Sequence, residues 1–318
     1  MACYYPRIIY EDPNIRTKPF RVPCGNCIGC RLEYARTWAV RCTHEASLYD
    51  NNCFVTLTYD DEHLPNNCSV SKREFQLFMK RLRKRYPNDR IRYYGCGEYG
   101  KNVDFKYGAG RLGRPHYHLC IFGFDFEDKK IFEYGKIKES RRGMRVKRGE
   151  STLYRSKELE KVWTKGFSSV GEVTFESAGY VARYCTKKIT GERPLTIDGK
   201  RYQTASEYYG EKEREFALMS RRPGVGNSWV KKYISDVYPK DFFTLNGKKL
   251  QPPKYYDKIY QRICADNNDK FSTWEDWEIL KKRRKENAGE YETTTRLMAI
   301  EKQKKLIVKP LLRKMEDD

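Results

Sequence analysis

Histidine is scarce in this chain, with four residues among 318, and acidic residues are outnumbered by basic ones. Aspartate and glutamate total 43 against 64 lysines and arginines, so the formal net charge is +21. So large a charge repels itself in a compact state, and a polyanionic partner relieves that repulsion. Nucleic acid is the first candidate partner, because neutralised phosphates release condensed counterions. A membrane surface is the second.

Long apolar runs are absent too. None reaches the ~18 residues of a membrane-spanning helix, so we expect no such helix. The first residues, 1–7, contain no apolar h-region, and we expect no secretory signal. We therefore expect the 11 cysteines to be reduced thiols in a cytosol. The Walker A sequence GxxxxGK[ST] is missing, so the chain has no ATP-driven motor of that type.

The periodicity of apolar residues predicts a mixed α+β chain. Apolar steps of three and four predict helices at 31–49, 71–85, about 156–163 and 176–188, and β-branched or aromatic runs predict strands at 53–58, 90–98, 116–124 and 167–174. Ser71 and Glu74 predict a capping box. From the first strand the order is β-α-β-β-α-β with one more helix. This order is typical of a ferredoxin-like or RRM-like antiparallel sheet with helices on one side.

Composition divides the chain into three predicted segments. Residues 1–50 form an N-terminal cysteine-containing segment with a helix, and residues 51–190 form the α+β core. Residues 191–318 form a basic C-terminal extension, with charged helical sequence at 274–305.

Two of the four histidines, His116 and His118, lie two residues apart on a predicted strand. Side chains two apart on a strand point to the same face, where two imidazoles can bind one divalent ion. Glu98 closes the preceding strand and is the best candidate for a third ligand. If the two strands form a hairpin, Glu98 meets His116. The alternatives are two structural histidines on a half-buried strand and a solvated glutamate.

Two tyrosines, Tyr180 and Tyr184, lie four residues apart on the last predicted helix, so they share a face. A phenol is a slow nucleophile near neutral pH and needs a cation or a metal to activate it. Lys187 and Lys188 follow within about one turn of Tyr184. The alternative is a tyrosine stripe that packs on the sheet, since the chain has 25 tyrosines.

Three cysteines, Cys24, Cys27 and Cys30, form a C-x₂-C-x₂-C pattern that can hold a structural zinc ion. Cys42 or His44 would supply the fourth ligand. The usual second C-x₂-C half is missing, and the alternative is a set of reduced thiols around a helix start.

Basic residues are dense in the 71–85 helix and in the 99–114 loop, which indicates either solvated surface or contact with DNA phosphates. The turn at Arg221–Gly226 is a weaker candidate for binding phosphate through backbone N–H groups.

Together these motifs resemble the HUH endonucleases (histidine–hydrophobe–histidine) that start rolling-circle replication. The resemblance rests on the strand Phe54–Tyr59, the strand Pro115–His118 with Tyr117 as the middle residue, and the helix with Tyr180 and Tyr184. The segments Cys24–Arg31 and Ser220–Gly226 are similar to those of gokushovirus-type microviruses, which are small single-stranded DNA phages. The resemblance covers roughly residues 20–230.

The resemblance implies a role for each matching residue. His116, His118 and Glu98 would bind Mg²⁺ or Mn²⁺, Tyr180 and Tyr184 would be the nucleophiles, and Lys187 or Lys188 would orient or activate a tyrosine. One tyrosine would nick viral origin DNA, leaving a 5′-phosphotyrosine and a 3′-hydroxyl that primes synthesis. It also implies a bacterial host cytoplasm, and a host helicase and DNA polymerase as partners.

Three other functions fit parts of the sequence. A non-catalytic single-strand or RNA-binding module on the same fold would explain the charge and the aromatic content. An HUH relaxase or transposase would share the chemistry. An RNA-binding protein built around a cysteine–zinc knuckle would need a fourth zinc ligand.

Overall fold

A computed structural model of the protein describes residues 3–10, 20–100, 113–133, 152–187, 195–197, 200–202, 204–238, 240–266, 272–287 and 293–313. The chain forms two compact units, one of Arg41–Val225 and one that joins Met1–Val40 with Gly226–Asp318. The three-segment division at residues 50 and 190 stays a prediction.

The described elements follow one another as listed here. They are β1 (Arg7–Ile9), β2 (Phe20–Val22), α1 (Ile28–Ala46), β3 (Asn52–Tyr59), α2 (Lys72–Arg85), β4 (Arg92–Tyr99), β5 (Pro115–Phe122), β6 (Lys130–Glu133), β7 (Leu153–Arg155), α3 (Lys157–Val162), β8 (Gly166–Gly171), α4 (Phe175–Lys187), β9 (Leu195–Ile197), β10 (Lys200–Tyr202), α5 (Ala205–Tyr209), β11 (Phe216–Met219), α6 (Asn227–Lys232), α7 (Ile234–Val237), β12 (Phe243–Leu245), β13 (Lys248–Leu250), α8 (Lys254–Ala265), α9 (Trp274–Glu286) and α10 (Thr294–Arg313).

A seven-stranded antiparallel sheet forms the centre of the 41–225 unit. Its strand order is β11-β4-β5-β3-β8-β7-β6. The four middle strands have the order expected of a split β-α-β arrangement, with β3 and β5 side by side. The predicted α+β class and antiparallel sheet are therefore confirmed. The strands predicted on either side of the two histidines are also found, with shifts of a few residues.

One face of this sheet carries the main core. Alternate residues of β3 are fully buried there, and α2 and α3 supply the opposing apolar side chains, which include Phe75, Phe78, Leu82 and Leu159. Trp163 closes the core and donates its indole N–H to the carbonyl of Thr58 at 3.2 Å. Burial of each large apolar side chain stabilises the fold by about 1.5–3 kcal/mol.

The expectation of helices on one side only is wrong. Helix α4 packs on β4 and β5 at the opposite face, where the Tyr180 ring contacts Phe54 and His118. The last turns of α1 also reach this face, where Glu45 forms a buried ion pair with Arg92. The cause is that this face is largely apolar as well, with Cys96 and Cys120 buried on it, so it needs a second covering layer.

Only the serine half of the predicted capping box forms. Ser71 accepts a hydrogen bond from the Glu74 backbone N–H at 3.3 Å. The Glu74 carboxylate pairs with Lys165 Nζ at 3.2 Å, because a charged partner binds a carboxylate more strongly than a backbone amide does.

The second unit is mainly helical. Helices α8 and α9 pack together, and Arg284 of α9 binds both Asp241 and Asp257. Helices α9 and α10 confirm helical sequence between 274 and 305, with residues 288–292 outside the described part. Across the described residues, no helix has the length and apolarity needed to cross a bilayer.

The buried imidazole of His44 should make unfolding pH-dependent. Burial lowers the pKa of His44 from 6.5 to about 3. The unfolded chain takes up this proton below pH 6.5 and the folded chain does not, so the side chain's contribution falls as pH falls. We expect a loss of roughly 1.4 kcal/mol of unfolding free energy per pH unit in that window.

Urea unfolding of the parent and of His44→Gln, at neutral pH and at about pH 5, measures this loss. The variant should be less stable by a constant offset and should show a smaller loss on acidification. Equal losses in both proteins would contradict the assignment.

Candidate active site

The register of β5 between its two neighbours places both histidines on one face of the sheet. His116 lies opposite Thr58 on β3 and opposite Glu98 on β4. His118 lies opposite Thr56 on β3. Because side chains alternate along a strand, these residues all point away from the α2 and α3 core. The structure thus brings together the glutamate and the two histidines, as the hairpin argument predicts.

The three side chains form a compact cluster of nitrogen and oxygen donors. His116 Nε2 lies 2.7 Å from Glu98 Oε1, and His118 Nε2 lies 3.8 Å from the same oxygen. One ligand atom from each residue falls within 4.8 Å of the others. Glu98 and His118 are buried, at 2% and 5% exposed, and His116 is partly open. Two imidazoles and a carboxylate in this arrangement can bind a divalent cation and leave coordination positions open.

Hydrogen bonds to the far nitrogens orient both imidazole rings. His116 Nδ1 donates to the carbonyl of Arg114 at 3.1 Å, and His118 Nδ1 bonds the Thr56 hydroxyl at 3.0 Å. Both rings therefore turn Nε2 toward Glu98. Outer contacts of this kind fix the tautomer and direction of metal-binding histidines. The Arg114 guanidinium is itself anchored on the Tyr59 carbonyl at 2.9 Å.

Tyr180 meets this cluster from α4. Its ring stands edge-on to the His118 imidazole, with ring centroids 5.2 Å apart and an interplanar angle of 82°. Phe54 fills the other side, stacked on His118 at 5.7 Å and in edge contact with Tyr180 at 6.3 Å. The helix thus brings one of the two predicted tyrosines directly beside a histidine of the cluster.

Tyr184 lies on the same helix one turn further on, so helical geometry places it on the Tyr180 face. Lys187 is the last residue of α4. Lys188 lies outside the described residues.

The connection between β4 and β5 is closed at its base. The Gly100 N–H donates to the Arg114 carbonyl at 3.0 Å, and the Gly113 N–H donates to the Gly100 carbonyl at 2.9 Å. Most of the predicted basic loop, residues 101–112, lies outside the described part. Its two ends are joined next to Glu98 and His116.

A second cluster, in the other unit, consists of four cysteines. Cys3 joins the predicted Cys24, Cys27 and Cys30, and the four sulfurs lie within 4.8 Å of one another. The Sγ atoms of Cys24 and Cys30 are 4.0 Å apart, as are those of Cys3 and Cys27. All four are free thiols. Four thiolates at Zn–S distances of ~2.3 Å would lie ~3.8 Å apart in a tetrahedron, so these residues can hold zinc.

Backbone N–H groups point at the sulfurs of this cluster. The amides of Cys24, Cys27 and Tyr4 donate to Cys3, Cys24 and Cys27 at 3.2, 3.4 and 3.4 Å respectively. The fourth sulfur is therefore that of Cys3, and the expectation of Cys42 or His44 is wrong. Cys42 lies two turns or more along α1 from the cluster and contacts Cys120 of the sheet.

Two contacts of these clusters escaped the sequence analysis. Thr56 was one residue of a predicted strand, although its alternation with Val55 and Leu57 already places it on the histidine face. Cys3 carries no spacing signal, because 20 residues separate it from the C-x₂-C-x₂-C pattern.

Comparison with known proteins gives matches to phage proteins. Residues 52–189 match the family described as replication-associated protein ORF2. The chain is 31% identical over 265 residues to replication-associated protein VP4 of Bdellovibrio phage phiMH2K, covering 80% of this chain and 73% of that protein. It is 33% identical over 254 residues to replication-associated protein ORF2 of Spiroplasma virus 4, covering 77% and 69%.

A third relative is replication-associated protein ORF4 of Chlamydia phage 1, 27% identical over 268 residues. That match covers 83% of this chain and 59% of the relative. No solved structure matches the chain.

The hydroxyl of Thr56 should be needed for full metal affinity. Thr56→Val keeps the shape of the side chain and removes the hydrogen bond that orients His118. We expect divalent-metal affinity to fall about 10- to 100-fold. Isothermal titration with Mn²⁺ measures this, and Thr56→Ser, which retains the hydroxyl, should bind like the parent. Parent-like binding by Thr56→Val would show that the contact does not orient the ligand.

Proposed function

This chain belongs to the family of phage replication-associated proteins, and on that premise we propose that it nicks one strand of circular viral DNA at the replication origin through a tyrosine nucleophile. The nick starts rolling-circle replication, as in the HUH endonucleases that its motifs resemble. The observation that carries the proposal is the placement of Tyr180 against His118 at the cluster of Glu98, His116 and His118.

Glu98, His116 and His118 would hold the metal. Imidazole and carboxylate donors suit Mn²⁺, and Mg²⁺ also accepts a carboxylate while keeping several waters. The bound ion supplies Lewis-acid polarisation of the scissile phosphate. Thr56 and the Arg114 carbonyl support this proposal, because they hold the two imidazoles ready before a ligand arrives.

The reaction conserves the phosphodiester bond. The phenolate oxygen of one tyrosine attacks phosphorus, the bond from phosphorus to the 3′ oxygen breaks, and that oxygen takes a proton. The products are a 5′-phosphotyrosine and a free 3′-hydroxyl that primes synthesis. The second tyrosine of the pair Tyr180 and Tyr184 repeats the attack at the regenerated origin. The released 3′-hydroxyl then attacks the first linkage and closes a circle.

Each residue of the tyrosine helix has a part in this scheme. Tyr180 starts beside His118, and Tyr184 follows one turn later, so either can serve in alternate rounds. Lys187 or Lys188 would orient the attacking phenol or favour its ionised form. Energy stored in the phosphotyrosine makes ATP unnecessary, which agrees with the missing Walker A sequence.

The protein would act inside the bacterial host, with origin DNA as its partner. A net charge of +21 supports binding to that polyanion. Since the chain has no Walker A sequence, we propose that a host helicase and DNA polymerase unwind and copy the template.

A nicking assay tests the function. The protein is incubated with supercoiled viral DNA, with and without Mn²⁺ or Mg²⁺, and protein–DNA adducts are resolved on a denaturing gel. We expect a metal-dependent adduct, lost by about 10³-fold or more in Tyr180→Phe with Tyr184→Phe and in His116→Ala with His118→Ala. The single tyrosine variants show which phenol acts first. Tyr154→Phe, on the same sheet, is the matched control and should nick normally.

Other outcomes of this assay contradict the proposal. Nicking without an adduct would mean hydrolysis by an activated water and would leave both tyrosines as packing residues. Salt-sensitive binding to single strands without nicking would indicate a non-catalytic module. Adduct formation only at a transfer origin or a transposon end would indicate a relaxase or transposase.

The four-cysteine cluster would hold one structural zinc ion. The sulfur spacing and the three N–H···S bonds support this proposal, and the ion would tie the N-terminal residues to the first turn of α1. Cys3 is the ligand that completes the tetrahedron.

Elemental analysis of protein purified under reducing conditions tests the zinc proposal. We expect one zinc per chain in the parent, and a large loss in Cys3→Ser because one thiolate is missing. Cys264→Ala, a buried cysteine outside the cluster, should keep its zinc. A metal-free parent that is nevertheless fully folded would contradict the proposal.

A further inference from the structure

An arginine-rich cleft lies at the far end of β4 from the metal cluster. Its volume is about 700 Å³, within the ~300–1,000 Å³ of ordinary ligand sites. It is lined by the end of α2, the start of β4 and the segment that follows β11. The functional side chains are Arg83, Arg90, Arg92, Tyr93, Arg221 and Arg222. Two of them come from the turn after β11 that the sequence analysis singled out.

Hydrogen bonds hold this turn in place. The Ser220 N–H donates to the Tyr93 carbonyl at 2.9 Å, and the Tyr93 N–H donates to Ser220 Oγ at 3.1 Å, which extends the pairing of β11 with β4. Arg221 pairs with Gly224 across the turn. Arg92, buried in its ion pair with Glu45, donates to the Pro223 carbonyl at 2.9 Å. The cleft is therefore a built feature of the 41–225 unit.

The charges in the cleft are poorly compensated. Glu45 neutralises Arg92. Among the described residues, no carboxylate pairs with Arg90, Arg221 or Arg222. Arg83 bonds the Ile91 carbonyl at 3.0 Å and lies 5.4 Å over the Tyr93 ring. Positive charges gathered in this way repel one another, and an anion relieves the repulsion.

The electrostatics at Tyr93 agree with this picture. Burial raises the pKa of the Tyr93 phenol, and the nearby charges of Arg83 and Arg221 act against that rise. Two guanidinium groups from different elements thus act on one phenol.

The chemistry of the cleft matches a nucleic-acid strand. Guanidinium groups bind phosphate oxygens through paired N–H donors, and an aromatic ring beside them offers a surface for a base. Tyr93 and Glu98 lie five residues apart on β4, which is about 17 Å at ~3.3 Å per residue. At ~3.4 Å per nucleotide step, that distance is roughly five steps of a B-form strand.

We propose that Arg83, Arg90, Arg221 and Arg222 around Tyr93 form a second DNA site, which grips the phosphodiester backbone about five nucleotides from the bond at the metal cluster. This site rests on the proposed function for its substrate, and it is separate from the residues that cleave. It holds the strand while the tyrosine helix reacts.

Salt-dependent binding tests the site without any cleavage. Fluorescence anisotropy follows a labelled origin strand, long enough to reach both sites, on metal-free protein in chelator. The slope of log Kd against log salt concentration should fall by roughly 2 in Arg90→Gln with Arg221→Gln and Arg222→Gln, because each phosphate contact on a single strand contributes ~0.7. The triple Arg→Lys variant keeps the charges and should restore most of the slope.

A charge-matched variant supplies the control. Lys254→Gln with Lys258→Gln and Lys282→Gln removes three exposed charges from the other unit and should leave the slope near that of the parent. An unchanged slope in the arginine variant, or an equal fall in the lysine control, would overturn the proposal. Tighter binding of a labelled nucleotide than of the strand, lost in the arginine variant, would also overturn it.

The outcome is independent of nicking. A protein that loses its slope in the arginine variant yet never forms an adduct would support this site and contradict the proposed function. Normal adduct formation with an unchanged slope would do the reverse.

Discussion

The register of β5 between β3 and β4 is the constraint on which the candidate active site depends. It turns His116 and His118 to one face and Tyr117 to the other. Tyr117 is fully buried, and its hydroxyl bonds Tyr59 at 2.8 Å and accepts from the Ser71 N–H at 3.0 Å. Burial raises the pKa of that phenol to about 12, so it stays neutral and suits an apolar core. A slip of one residue would bury both imidazoles and expose the phenol, which makes the register strongly specified.

The same constraint explains what could be predicted from the sequence. Alternation along the strand and a hairpin are local properties, and they were enough to bring Glu98 to His116. The spacing of Tyr180 and Tyr184 predicted their helix, but the face of the sheet on which it packs depends on apolar residues of β4 and β5 that look like ordinary core. The layer of helices on that face was therefore missed. Whether the two tyrosines attack DNA stays a prediction.

Distant pairings were out of reach for a similar reason. Cys3 joins the other cysteines through a long stretch of chain with no periodicity to guide it. In the same unit, the Tyr5 hydroxyl donates to Glu301 Oε2 at 2.7 Å, across 296 residues of sequence. The start and end of the chain thus share one compact unit, and no local pattern records such a contact. A cleft formed by α2, β4 and the turn after β11 is likewise a product of tertiary packing.

The closed base of the β4–β5 connection has an evolutionary consequence. Because Gly100, Gly113 and Arg114 bond to one another, the distance between Glu98 and His116 does not depend on what the chain does between them. Lengthening a connection whose ends are already joined adds little entropic cost, about 0.6 kcal/mol per doubling. Insertions and deletions at this position can therefore diversify the surface next to the metal cluster from one phage to another. The chemistry beneath would be inherited unchanged.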